Sequence, residues 1–119
     1  MVVYVDDMFL IPMGRFGRMK MSHMIADTEE ELHKMADAIG LKRRWYQGDH
    51  YDVSMVMRGK AIELGAVAVT MRTVAYMAMN KKMGYPMGTP ETAEMIANAR
   101  RADAKKQKEL ENGNIHKSD

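Results

Sequence analysis

The stretch MSHMIADTEEELHKMADAIG, residues 21–40, changes its periodicity once, and that change decides the fold. Its first part, MSHMIAD, reads as a short strand that delivers Asp27 at its end. From Thr28 onward the spacing is helical. Thr28 and Glu31 stand at capping-box distance, Leu32, Met35, Ala36 and Ile39 recur on one face, and Gly40 supplies the left-handed stop. A strand that feeds directly into an amphipathic helix is the building unit of a layered α/β domain.

Working outward, VVYVDD (residues 2–7) is a β-branched run that ends in Asp6 and Asp7, as expected of a strand buried on both faces. MFLIPMGRFGRMK (8–20) carries Pro12, Gly14 and Gly17 with Arg15, Arg18 and Lys20 between them, and reads as a basic loop. RRWYQGDHYDV (43–53) reads as a strand, or as two strand pieces broken at Gly48. SMVMRGKAIELG (54–65) predicts a helix from Ser54 to Gly65, AVAVT (66–70) a strand, and MRTVAYMAMNKKMG (71–84) a third helix. The expected architecture is α/β, a single small sheet, mixed or mostly parallel, flanked by helices over residues 1–83. YPMGTP then begins a linker, and Thr89 with Pro90 opens a polar, partly frayed helical tail to about Leu110 within residues 84–119, which either packs along the domain by its first turns or extends into solvent.

Composition narrows the chemistry. A chain of 119 residues supports one core and one principal site. With 18 basic and 16 acidic residues the formal charge is +2, which gives nucleic acid no electrostatic hold in bulk. The absence of cysteine excludes a disulfide framework, a thiolate zinc site and a cysteine nucleophile within this sequence. The 15 methionines are chiefly flexible fillers of an irregular core. No apolar run approaches the roughly 20 residues of a membrane span, and the first residues lack the order of a signal peptide. The expectation is a soluble, cytoplasmic protein without a membrane partner.

The candidate site follows from the strand ends. In sheets of parallel strands, ligands gather beyond the carboxyl ends, where Asp6, Asp7, Asp27 and Thr70 are expected. Asp6 and Asp7, with Asp27 or Asp52 as a third carboxylate, form the expected set for a divalent cation such as Mg²⁺ or Mn²⁺. The plainer alternative is that these acids cap turns. His23 and His50, with Asp52, are the acid–base candidates, whereas His33 lies at the boundary of its helix and is expected to bond a neighbouring strand. A zinc site assembled from His23, His50 and Asp52 stays open. Trp45, Gln47 and Tyr51 offer stacking and hydrogen bonds to a planar ligand, and Arg15 and Arg18 offer charge to a phosphate, with Arg43, Arg44 and Arg58 joining if the loop folds back. GRFGR is not a phosphate-binding P-loop, because it has no GK[ST] ending.

YVDD, the Ser22–His23 pair before Asp27, the ELH helix and HYD together resemble the bacterial and phage family known as domain of unknown function 4031. The resemblance covers about the first 70 residues. It implies that Asp6, Asp7, Ser22, His23, Asp27, His33, Trp45, Gln47, His50, Tyr51 and Asp52 match the family motif, with Met21 where the family commonly has Trp. It implies no reaction. Two functions fit: a phage or bacterial accessory protein acting as a metal-dependent phosphoester hydrolase on a phosphorylated or nucleotide-like ligand, or a non-catalytic module that sequesters a host ligand or binds a host protein.

Overall fold

The computed structural model describes residues 2–117, with side chains to residue 112. In chain order the regular elements are β1 (Val3–Val5), β2 (Arg15–Phe16), β3 (Met19–Ala26), α1 (Glu29–Ile39), β4 (Tyr51–Ser54), α2 (Met55–Glu63), β5 (Val67–Ala68), α3 (Met71–Lys82) and α4 (Ala93–Lys117). The chain is α/β, and its sheet is mixed. β3 lies antiparallel to both β1 and β4, while β5 runs parallel to β1 on the far side, giving the path β4–β3–β1–β5. β2 forms a short hairpin with the start of β3.

Local chemistry explains the helix ends. The Thr28 hydroxyl accepts from the Glu31 amide at 3.1 Å, and Gly40 closes α1 at φ 87°, a conformation costly for any residue with a Cβ. Ser54 caps α2 through the Met57 amide, and Thr70 caps α3 through the Thr73 amide. Gly14 is required for a different reason. A Cβ there would sit 2.1 Å from the Met8 carbonyl oxygen and 2.9 Å from that of Met21, so only glycine lets these two backbones meet.

Strand alternation divides the core. Val3, Val5, Met24, Tyr51 and Val53 face α1 and α2, packing on Leu32, Ala36, Ile39 and Ala61. Tyr4 and Ile25 face the other way, onto Val74 and Met77 of α3 with Met87 and Ala93 beyond it. Each fully buried Leu, Val or Met contributes about 2 kcal/mol by leaving water. No helix among the described residues is long and apolar enough to cross a membrane.

One expectation changes. Residues 43–53 are not one strand: Arg43–Trp45 form a 3-10 turn, and only Tyr51–Ser54 joins the sheet. The turn between them is tied by Gln47 N donating to the His50 carbonyl, with Gly48 at φ 92°. Of the two courses open to the segment after residue 84, the structure shows packing along the domain by the first turns of α4. Asn80 of α3, fully buried, donates to the carbonyls of Met87 and Ala93 at 3.2 and 3.0 Å and accepts from Arg100 at 3.2 Å. Ala93 and Ala97 are buried against α3, whereas α4 beyond residue 100 is exposed as far as its side chains are described.

Replacing Asn80 by Ala leaves two buried carbonyls without their donor, and the expected loss is about 2 kcal/mol of stability, read as a lower urea midpoint with faster hydrogen exchange over residues 93–100. An unchanged midpoint would show that alanine packing alone holds α4.

Candidate functional site

Register builds the site. Val5 pairs with Met24 and points into one core, so the next residue, Asp6, turns to the opposite face beside His23; the Asp6 amide donates to the His23 carbonyl at 3.0 Å. His23 pairs directly with Asp52 on β4, and His50, two residues earlier, lies on the same face. Three adjacent strands thus set Asp6, His23 and Asp52 in one row. The His23 and His50 rings meet edge to face at 5.1 Å between centroids.

Asp6 is fully buried and fully engaged. Its Oδ1 accepts from the amides of Met8 at 3.1 Å and His23 at 2.8 Å, and its Oδ2 accepts from His23 Nδ1 at 2.7 Å. Arg58 Nε, reaching over from α2, donates to the Asp6 carbonyl at 2.9 Å. Burial pushes the Asp6 carboxyl up, but the hydrogen bonds from His23 and Met8 outweigh it and hold it below its ordinary 3.8. The bond to Asp6 raises His23 above its ordinary 6.5 against the opposing effect of burial, with Asp52 and Asp49 adding to the rise.

His23 Nδ1 is therefore committed to Asp6, which leaves Nε2 as the ring nitrogen available to another partner. His50 is arranged alike: Nδ1 donates to Asp49 Oδ1 at 2.5 Å, and Nε2 stands 3.5 Å from Asp52 Oδ1. Asp52 is steadied by Gln47, whose Nε2 donates to Oδ2 at 2.7 Å. One ligand atom from each of His23, His50 and Asp52 falls within 4.8 Å of the other two. Around a tetrahedral zinc such atoms lie about 3.3 Å apart, so closing the set needs side-chain shifts on the order of an ångström. The three side chains are 27, 23 and 35% exposed, open enough for a small molecule to reach.

The carboxylates expected to hold a cation do not converge. Because β3 is antiparallel to β1, with Val3 opposite Ala26, Asp27 leaves the sheet at the opposite end from Asp6. There it borders a cleft of about 580 Å³ with Lys81 and Lys82. Asp7 accepts from the Met71 amide at 2.8 Å and so caps α3. Tyr51, expected to meet a ligand, is fully buried and bonds His33 Nδ1 at 2.8 Å through its hydroxyl. That bond to β4 is the neighbouring-strand contact its boundary position suggested, and His33 also bonds Glu29 of its own helix at 3.0 Å. Ser22 faces away from His23 and is buried.

Trp45, Gln47 and Arg15 line a groove of about 760 Å³ that reaches Asp52, while Arg18 sits in the β2–β3 turn outside that lining. Asp49 was missed as a partner of His50, although it immediately precedes it. Arg58 gave no local signal, being 52 residues from Asp6.

A family model described as "Protein of unknown function (DUF4031)" matches residues 3–81, which contain every residue of this constellation. The chain belongs to this family. The match ends within α3, one residue short of its last, and leaves α4 outside. No curated protein and no solved structure matches the chain.

The pair Asp6–His23 gives a signed pH dependence. The raised imidazole contributes stability below 6.5 that is lost as pH rises through its folded value. The lowered carboxyl contributes above 3.8 what is lost as pH falls through its own. Metal-free protein is expected to be most stabilised by the pair between those values, and in Asp6→Asn the His23 resonances should titrate at lower pH by NMR. Coincident titration curves would remove the coupling. For Tyr51→Phe, loss of the His33 bond should cost about 1 kcal/mol in denaturant unfolding and leave His23 titration unmoved.

Proposed function

We propose that the chain is a metal-dependent hydrolase whose cation is held by His23, His50 and Asp52 and whose substrates are small anionic esters, phosphoesters foremost. The observation that carries this reading is the doubled arrangement in which each imidazole is backed at Nδ1 by a carboxylate, Asp6 or Asp49, while one ligand atom from each of His23, His50 and Asp52 lies within 4.8 Å of the other two. Metal-ligating histidines are characteristically oriented in this way, since the carboxylate fixes the tautomer and raises ligand basicity. Held by these three ligands, a cation would supply Lewis-acid activation of water at neutral pH.

The donor set favours a transition metal. Two imidazoles and one carboxylate suit zinc or iron better than Mg²⁺, which prefers oxygen ligands and retains its waters. Gln47 holds Asp52 in place, and the buried Asp6 holds the His23 ring, so neither residue needs to touch substrate to matter. A second reading, binding without turnover, is favoured by one observation: the groove beside Asp52 is largely apolar and offers no further acid–base group.

Calorimetric titration of the full chain with Zn²⁺ and Mn²⁺ should show one site. His50→Ala and Asp52→Asn should abolish saturable binding, while Asp49→Asn should weaken it by about 10- to 100-fold. Zinc- or manganese-loaded protein should hydrolyse chromogenic phosphate mono- or diesters, and His50→Ala should not. Metal binding unaffected by these substitutions would defeat the assignment, and tight binding without turnover across the ester panel would leave the binding module.

A further inference from the structure

The groove that Asp52 borders has a composition the metal site does not explain. Its walls carry Met13, Phe16, Met19 and Met21 from the β2–β3 hairpin and its approach, facing Trp45 from the 3-10 turn. Phe16 is 77% exposed, Met13 71% and Met19 50%, so the apolar surface lies open to water and is not a corner of the core. Methionine thioethers adapt to varied apolar shapes, and Trp45 adds a flat face. A volume of about 760 Å³ lies within the range of small-molecule sites.

Charge selects among apolar ligands. Arg15 and Arg44 both line this groove, and among the described residues neither is paired with a carboxylate. The ion pairs of the molecule instead engage Arg43 with Asp37, Arg72 with Glu94, and the histidines. Asp52, the one acid in the lining, is held by Gln47. The groove therefore combines two arginines without a described carboxylate partner and an adaptable apolar wall, and it shares Asp52 with the metal-type cluster.

We infer that the groove binds an amphipathic small-molecule anion: an apolar or planar body laid along the methionine and Trp45 wall, with a phosphate or carboxylate at Arg15 and Arg44. Guanidinium forks match either oxyanion in a bidentate manner. The inference deepens the proposed hydrolase, on which it rests only for what happens at His23, His50 and Asp52. The substrates it selects are anionic esters with a sizeable apolar part, not small polar sugar phosphates.

Trp45 is the chain's single tryptophan and reports directly on the groove. The test follows its fluorescence while the full chain, stripped of metal with EDTA, is titrated with decyl phosphate, decanol and decyltrimethylammonium, each below its micellar concentration. Decyl phosphate should give a saturable change, with decanol at least tenfold weaker and the cation inert. Arg15→Ala/Arg44→Ala should raise the decyl phosphate dissociation constant at least tenfold, and Arg15→Lys/Arg44→Lys should recover part of it. Equal responses to all three amphiphiles, or a response indifferent to the arginines, would overturn the inference. So would binding to anionic phosphatidylglycerol vesicles without a saturable response to monomeric decyl phosphate. Since this titration is metal-free, decyl phosphate binding with no zinc site would sink the hydrolase alone, and a zinc site with no decyl phosphate binding would sink the groove alone.

Discussion

The buried carboxylate of Asp6 is the constraint around which the molecule is arranged. Removing a carboxylate from water is costly unless its oxygens are fully engaged. Here they are met by two amides and an imidazole, and the same residue's carbonyl receives Arg58. Those partners come from β3, from the turn after β1 and from α2, so satisfying one acid fixes the relative positions of three parts of the chain. Removing the carboxylate from such a pair while leaving the other partners in place costs about 3 kcal/mol or more in comparable sites, enough to matter in a domain of this size.

The antiparallel course of β3 is what turns that local arrangement into a site. Had β3 run parallel to β1, Asp6 and Asp27 would share an edge and the histidines would fall elsewhere. Reversed, β3 brings His23 beside Asp6 and opposite Asp52, and β4 contributes His50 by simple alternation. The groove and the histidine cluster then share Asp52 and its partner Gln47, so a ligand lying along the hairpin would have one end at the cluster.

How much of this the sequence disclosed depends on the range of the interaction involved. The α1 boundaries were legible because Thr28, Glu31 and Gly40 act within a turn of their own positions. The mixed α/β layering was legible from alternating periods. Strand direction was not, since a period of two is the same read either way, and the placement of Asp27 went wrong with it. His23, His50 and Asp52 were singled out as acid–base groups and as an open zinc set, while the divalent cation was expected at Asp6 and Asp7 with Asp27 or Asp52. Only tertiary contacts reveal that Asp6 is spent on His23 and Asp7 on the start of α3. The aromatic run 43–53 mimicked a strand by composition, while its backbone follows a turn that Gly48 permits.

Asp6 and Asp7 stand side by side yet serve different masters, one beneath the histidines and the other at the head of α3. Adjacent strand residues point to opposite sides, so the loss or gain of one residue within β1 would exchange their stations and turn a carboxylate toward the apolar layer under α1 and α2. Length variation in this lineage should therefore be barred from the first strand and admitted in α4 beyond Asp103, the last of its residues tied to the domain by a described hydrogen bond.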